Sequence, residues 1–336
     1  MTRLVRSASL TNYGELARRF GLDPAAMLRE FALPPRCLDE PESRIPVDAV
    51  RRLLEASAER SGVEAFGLLM AEARRLSALG PLGLLIREQP TLRLAIEALV
   101  RYGRQINEAL FLTIEESGPV VVLREEVIAG GTGSVRQSTE LAIGVAFRTL
   151  STFLGAEWRP RRVCFAHDAP SDRSVHKRVF GPNVEFGHDF NGIVCARRDL
   201  EAPNPNADPE IARMAQGLLE AQPVGASRSM AAQVRDLVVL LLGTGTCTIE
   251  RVAQHLGVDR RTVHRHLLAE GQTFTAIVEG VRRELADRYV RDRDRPMAEI
   301  STLLGFAAPS GFSRWYRRKF GSPASAQRAR PRKAKS

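Results

Sequence analysis

Two stretches near the C-terminus decide the fold: TIERVAQHLGVDRRTVHRHLLAEG (248–271) and MAEISTLLGFAAPSGFSRWYRRKFG (297–321). In each, apolar residues recur at helical spacing before a glycine and again after it. This pattern is typical of two amphipathic helices joined by a tight turn. The sequence therefore predicts two helix-turn-helix units, over residues 248–268 and 297–320.

The same pattern predicts where the helices of each unit begin and end. Gly257 suits the end of the first helix because glycine adopts left-handed backbone angles without a steric penalty. Asp259 and Ser310 are the predicted N-terminal caps of the two second helices. Between the units, residues 274–290 carry an apolar residue every fourth position and predict one long connecting helix. The inner face of the second helix of the first unit is predicted to hold Val263, Leu267 and Leu268.

The positive charge of the chain is concentrated in the same region. From Ser227 onward, 110 residues hold 21 of the 49 lysines and arginines but only 10 of the 39 acidic residues. The net charge of +10 therefore belongs to the last third, and the remainder is close to neutral. A basic part joined to a neutral part is typical of a nucleic-acid reader with a separate sensing or assembly part.

The outward faces of the second helices supply candidate DNA contacts. A recognition helix fits the major groove, where arginine donates two hydrogen bonds to guanine and smaller polar groups reach other base edges. Two such helices about 34 Å apart would enter successive turns of one duplex, on a site without a palindrome. The predicted DNA-binding residues are Arg260, Arg261, His264 and Arg265 in the first unit and Ser310, Ser313, Arg314, Arg317 and Arg318 in the second.

Upstream, the pattern predicts a mixed α+β fold. Residues 13–75 and 91–106 are helical in pattern, with Thr91 as a cap, and residues 134–154 form another predicted helix. Two β-rich runs flank Gly118 and Pro119, which predicts a hairpin. Further short strands are predicted at 162–166, 184–186 and 193–196.

Proline-rich segments then divide the chain. Four predicted parts follow: an α+β effector-binding or oligomerisation domain (1–203), a linker with a short helix (204–228), an all-α domain with two helix-turn-helix units joined by a long helix (229–328), and a basic tail (329–336). The tail has two open interpretations, a phosphate contact without sequence preference or a solvated end.

The two opening stretches, with VRRELADRYV (281–290) between them, resemble the AraC-type DNA-binding domain over residues 234–328. That family has one more residue after the glycine of its second unit. Here Gly257 to Val263 is six positions and Gly305 to Phe312 is seven. The resemblance implies DNA contacts by Arg261, Arg265, Ser310 and Arg314. Departures from the family pattern are Gly311, Trp315 and an early Pro323.

The upstream part resembles the arabinose-binding-type N-terminal domain of a subset of AraC regulators. The resemblance rests on ALGPLGLLIREQPTLRLAIEALVRYGRQIN (78–107), LGAEWRPRRVCFAHDAP (154–170) and FGPNVEFGHDFNGIVC (180–195). It implies effector sensing or oligomerisation and identifies no ligand.

Other sites in the sequence are weaker. Cys164, His167 and Asp168 suggest a nucleophile and base, but no orienting third group is evident, so no catalytic residue is predicted. His176 and His188 are expected to be surface or core residues rather than metal ligands. The four cysteines are widely spaced, which favours neither zinc nor a disulfide framework and fits a reducing compartment. No cofactor is predicted.

The expected function is therefore a sequence-specific transcription regulator. Its predicted partners are double-stranded DNA, a small-molecule effector, RNA polymerase if the chain activates, and a second copy of the chain. Two alternatives stay open: a non-specific architectural nucleic-acid binder, and an enzyme whose basic part only localises it. No apolar run approaches the ~20 residues of a membrane span, and no signal-type segment opens the chain, so a cytoplasmic location without membrane attachment is expected.

Overall fold

The computed structural model describes residues 3–127, 133–221, 229–243, 245, 247–256, 258–291 and 296–329. The chain divides into two compact units, called here the N-terminal module (Met1–Pro223) and the C-terminal module (Val224–Ser336). The predicted boundaries after residues 203, 228 and 328 stay predictions. The predicted break at 222–228, the glycine turn at 257 and the tail from 330 lie outside the described residues.

The N-terminal module mixes helices with short strands, as the sequence predicts. Four 3-10 turns occur among its described residues, at Ser7–Leu10, Pro35–Leu38, Leu76–Leu79 and Arg197–Glu201. Its described α-helices are α1 (Tyr13–Arg19), α2 (Pro24–Glu30), α3 (Val47–Ser61), α4 (Phe66–Glu72), α5 (Pro81–Arg87), α6 (Leu92–Ile106), α7 (Arg136–Leu154), α8 (Ser174–Phe180) and α9 (Pro209–Ala221).

Two sheets accompany these helices. Strands β1 (Leu4–Arg6) and β2 (Arg44–Pro46) form an antiparallel pair. The second sheet has the order β3-β4-β7-β5-β6, in which β5 and β6 run parallel and the other neighbours antiparallel. Its strands are β3 (Leu110–Ser117), β4 (Val120–Val127), β5 (Arg162–Cys164), β6 (Val184–Glu185) and β7 (Asn191–Ala196).

Several predicted elements of this module are confirmed. Strands β3 and β4 form the hairpin, with Ser117 paired to Val120 across Gly118, whose φ is +57°. The Thr91 side chain caps α6 by accepting a hydrogen bond from the Leu94 amide at 3.4 Å. The predicted helix 134–154 is α7, shortened by two residues at its start.

The N-terminal module has two hydrophobic cores that meet at α7. One core joins α5 and α6 to the five-stranded sheet and takes Ile143, Phe147 and Leu150 from α7. The other joins the first strand pair to α1–α4 and takes Leu141 from the same helix. Helix α7 packs against β4, β7, α3 and α4. One helix therefore contributes to both cores.

The C-terminal module has helices as its only regular secondary structure among the described residues. Its apolar faces form one core, which includes Val263, Leu267, Ile300, Phe312 and Tyr316. The helices are α10 (Met230–Leu242), α11 (Ile249–Leu256), α12 (Arg260–Ala269), α13 (Phe274–Arg291), α14 (Met297–Leu303), α15 (Pro309–Phe320) and α16 (Ala324–Ala329). The predicted long connector is α13, and the α+β followed by all-α fold class is confirmed.

Candidate nucleic-acid interface

The first helix-turn-helix unit consists of α11 and α12, which pack against each other and against α10. Asp259 caps α12 as predicted, because its Oδ1 accepts a hydrogen bond from the Thr262 amide at 2.8 Å. The Thr262 hydroxyl donates to the other carboxylate oxygen at 3.0 Å. These bonds lower the pKa of Asp259, the backbone bond most strongly. The cap fixes where the recognition helix starts.

The inner face of α12 is narrower than predicted. Val263 and Leu267 are buried, with 0% and 1% exposure, but Leu268 is 75% exposed. The prediction that Leu268 belongs to the inner face is therefore wrong. Positions 261, 264, 265 and 268 share one side of a 3.6-residue helix, so the Leu268 side chain lies on the face of Arg261 and Arg265.

All four predicted contact residues of α12 are exposed, including His264. Arg260 forms an ion pair with Glu250 of α11, with 2.9 Å between Nη1 and Oε1. Neither Arg261 nor Arg265 forms an ion pair with a carboxylate in the described part of the chain. Two of the three arginines therefore present unpaired guanidinium groups.

The second unit consists of α14 and α15. Gly305, with φ of +70°, follows the first of these helices, as the pattern of the unit predicts. The second helix starts two residues earlier than predicted: its N-cap is Ala308, which makes no side-chain cap bond, and Pro309 occupies the first turn. Proline favours this position because its φ is already helical and its missing amide donor is not needed there. The prediction of Ser310 as the cap is therefore wrong.

The outward face of α15 is polar over its whole length. Ser310, Ser313, Arg314, Arg317 and Arg318 are all exposed. The Ser313 hydroxyl donates to the Pro309 carbonyl at 3.0 Å, within the helix. In the described residues none of the three arginines has an acidic ion-pair partner. Ser310, Ser313, Arg314 and Arg317 share one side of the helix by their spacing.

An aromatic cluster and one carboxylate hold the second unit to α13. Trp315 is 4% exposed, and its Nε1 donates to Glu279 Oε2 at 3.1 Å. Lys319 Nζ lies 2.9 Å from the same oxygen. Burial of Glu279 opposes ionisation, but the hydrogen bonds from Lys319 and Trp315 lower the pKa of its carboxyl below the ordinary value. Trp315, which departs from the family pattern, thus makes a structural contact that the sequence pattern did not identify.

Arg282 of α13 is also a structural residue. Its Nε donates to the Leu304 carbonyl at 3.0 Å, at the end of α14, and its guanidinium lies 4.9 Å from the centre of the Phe306 ring. A cation at a helix C-terminus satisfies carbonyls that have no partner within the helix. Arginine count alone therefore overstates the charge available to DNA.

Cys164 and the histidine residues considered above as possible catalytic or metal sites lie in the N-terminal module. Cys164 is buried, and burial raises the pKa of its thiol to about 11. His167 Nδ1 lies 2.9 Å from the Asp168 carbonyl oxygen, which accepts a hydrogen bond from the ring. His176 is fully buried, with Nε2 3.3 Å from Glu140 Oε1.

His188 is half-buried, and its ring belongs to the one group of three metal-type ligands found in the described residues. The other two members are Cys164 and Glu185, with all three ligand atoms within 4.8 Å of one another.

Comparison with known proteins matches both modules to one family. Residues 21–204 match the arabinose-binding domain of AraC transcription regulators, N-terminal, and residues 252–330 match a helix-turn-helix domain. The HTH-type transcriptional regulator VirS of Mycobacterium tuberculosis is 32% identical over 320 residues, covering 95% of this chain and 94% of VirS. The ornithine utilization regulator of Pseudomonas aeruginosa is 26% identical over 320 residues, covering 94% of each chain. The crystal structure of the transcriptional regulator CdpR from Pseudomonas aeruginosa aligns over 95% of this chain and 98% of CdpR, with a TM-score of 0.46 and 20% identity.

An α+β module followed along the chain by two helix-turn-helix units defines a DNA-binding transcription regulator. The chain belongs to the AraC family, in the group with an arabinose-binding-type N-terminal domain. In the described parts of the chain, no helix is both long and apolar enough to cross a membrane.

Proposed function

We propose that α12 and α15 read adjacent major grooves of a non-palindromic DNA site. In this proposal the base edges are contacted by Arg261 and Arg265 of the first unit and by Arg314 of the second. Ser310, at the start of α15, also bonds to the DNA. The observation that carries it is the pair of exposed faces on which Arg261, Arg265 and Arg314 form no ion pair with an acidic residue among the described residues. An exposed arginine without an acidic partner keeps its donors for guanine or phosphate.

The length of α13 supports this geometry. Its 18 residues span about 27 Å at the α-helical rise, which is comparable to the ~34 Å between successive major-groove faces. The remaining predicted residues flank the central contacts: His264, Ser313, Arg317 and Arg318 extend the two faces. Arg260 would first have to release Glu250.

In vitro selection from a random duplex library, using the full chain, would test the proposal. The selected duplex and a scrambled duplex are then titrated with the wild-type chain and with R265A and R314A, at several salt concentrations. Each substitution is expected to weaken binding to the selected duplex by about 1 to 3 kcal/mol and to relax sequence preference. R283A is the matched control, since Arg283 is an exposed arginine of α13, and should leave the preference unchanged.

The outcomes separate base contacts from phosphate contacts. If R265A and R314A weaken binding equally on both duplexes, these residues contact phosphates. If selection enriches no sequence and affinity depends only on salt, the chain is a non-specific architectural binder, which the same basic charge would also favour.

We infer that the N-terminal module senses rather than catalyses. A thiol pKa of about 11 leaves Cys164 almost wholly protonated at neutral pH, and a protonated thiol is a poor nucleophile. Assay of the full chain for hydrolysis of generic esters and amides should give no rate above buffer, and C164A should not change that result.

The remaining partners belong to the same proposal. They are double-stranded DNA, a small-molecule effector, RNA polymerase when the chain activates, and a second copy of the chain. A cytoplasmic location follows from binding chromosomal DNA. Sedimentation of the chain with and without the selected duplex tests whether one or two copies bind.

A further inference from the structure

The N-terminal module contains a partly open cavity where its two cores meet. Val50 and Leu54 of α3 line one side, and Leu82, Leu99 and Leu112 line the other. The cavity volume is about 90 Å³. A cavity on the order of 150 Å³ with an apolar lining accepts a benzene molecule, so this smaller cavity suits a short aliphatic molecule and excludes an aromatic ring or a long chain.

Five polar residues interrupt the apolar lining, namely Ser9, Arg74, Asn107, Glu125 and Ser138. Arg74 is 7% exposed and Glu125 is 1% exposed, and both line the cavity, as does Ser9. Arg74 Nε, Ser9 Oγ and Glu125 Oε1 are buried atoms without a hydrogen-bond partner. Buried polar atoms are almost always paired, so three unpaired atoms on one cavity call for a ligand.

The Arg74 end of the cavity is a site for an acceptor. Nη2 of Arg74 donates to the Ser9 carbonyl, which holds the guanidinium beside the Ser9 hydroxyl. No carboxylate in the described residues forms an ion pair with Arg74. Two adjacent donors, one of them cationic, match the two oxygens of a carboxylate.

Glu125 occupies an inward position on a strand that is otherwise apolar inside. Val121, Leu123 and Val127 are buried at the alternating positions of β4, and Glu125 stands where the alternation requires another apolar residue. Burial raises the pKa of its carboxyl well above the ordinary value. A protonated carboxyl group can donate one hydrogen bond to a ligand.

We propose that this cavity is the effector site and that its ligand is a small monocarboxylate with an apolar body. The carboxylate binds Arg74 and Ser9, and the apolar body contacts the leucines and valines of the two cores. A sugar does not fit, because its hydroxyl groups would lose their hydrogen bonds with water against that lining. This inference rests on the proposed sensing function and gives it a ligand class.

The test is a thermal shift and titration of the full chain with propionate, butyrate, 1-butanol and L-arabinose. The two carboxylates should raise Tm in a saturable manner, 1-butanol should raise it less, and L-arabinose should not raise it. The proposal is overturned if L-arabinose stabilises the chain or if neither carboxylate does.

Variants separate binding in the cavity from binding elsewhere. R74M should abolish the preference for butyrate over 1-butanol, and R74K should restore part of it. A146L fills the cavity from α7, where Ala146 is buried, and should remove the response to all ligands while the folded chain remains. If A146L still responds to butyrate as the wild type does, the ligand binds outside the cavity and the proposal fails.

DNA binding by the same preparations keeps the two proposals apart. Sequence-specific binding without any carboxylate response rejects the ligand class and leaves the regulator function intact. A Tm response to carboxylate that depends on Arg74, in a chain with no sequence preference on DNA, supports the ligand class and rejects the sequence-specific regulator function.

Discussion

The two helix-turn-helix units have the same helical pattern but are stabilised in different ways. In the first unit, the recognition helix starts at a side-chain cap, Asp259, and packs aliphatic residues against α10. In the second, α15 starts at Pro309 without a side-chain cap and packs an aromatic cluster, Phe306, Phe312, Trp315 and Tyr316.

Contacts with α13 extend the difference. Trp315 and Lys319 share the Glu279 carboxylate, and Arg282 holds the end of α14. Long-range contacts thus position the second recognition helix, whereas short-range bonds set the start of the first. The same helical pattern is thus stabilised in two ways, and variants can separate them.

The largest expected effect is at Trp315. W315A removes a large buried ring and should cost about 3 to 5 kcal/mol of local stability. Amide hydrogen exchange in the full chain should show α15 losing protection while α12 keeps most of its own. L267A is the matched variant for the first unit and should show the opposite pattern. Equal loss in both helices after either substitution would mean that the units unfold together.

Removal of the Glu279 charge should have a smaller effect on the same unit. E279Q weakens the bonds from Trp315 and Lys319 and should cost about 1 kcal/mol, since the group is partly exposed. The pKa of Glu279 is lowered, so its stabilisation is present above its ordinary pKa of 4.5 and is lost as pH falls through the lowered value. The stability difference between wild type and E279Q should therefore shrink below pH 4.5; a constant difference would contradict this assignment.

The cap of the first unit offers a test with a matched control in the second. D259A removes the bond to the Thr262 amide and should lower Tm by on the order of 4 °C. S310A should leave Tm unchanged, because Ser310 lies inside the first turn of α15 and caps nothing. Differential scanning fluorimetry measures the Tm of both variants. A decrease of Tm in S310A as large as that in D259A would show that Ser310 does act as a cap.

The smallest expected effect concerns Arg260. E250Q breaks its exposed ion pair, which should hardly change stability because such pairs contribute little. The released guanidinium should tighten binding to the selected duplex by roughly two-fold. Fluorescence anisotropy measures the affinity for the duplex, and adding R260A to E250Q should reverse the gain. Weaker binding by E250Q would contradict a DNA contact by Arg260.

The sequence predicted elements that local patterns determine. The hairpin at Gly118, helix α7, the connector α13 and the Asp259 cap all follow from spacing and turn chemistry within a few residues. The family resemblance added the DNA-binding function, and the comparisons support it. The individual DNA contacts remain predictions.

Both errors concern single positions at the edge of an element whose existence was predicted. Ser310 is a good cap by composition, but Pro309 starts the helix first. Leu268 is apolar, but it lies one position beyond the buried stripe. The role of Arg282 depends on a carbonyl 22 residues away, which no local pattern reveals. Glu125 could have been noticed, since an acid at an inward strand position breaks the alternation of β4.

The position of α7 has a consequence for how the N-terminal module melts. The helix contributes to both cores and lines the cavity through Leu141 and Ala146. A molecule bound there would contact both cores at once, so calorimetry with a saturating ligand should record a sharper transition of this module than calorimetry without it.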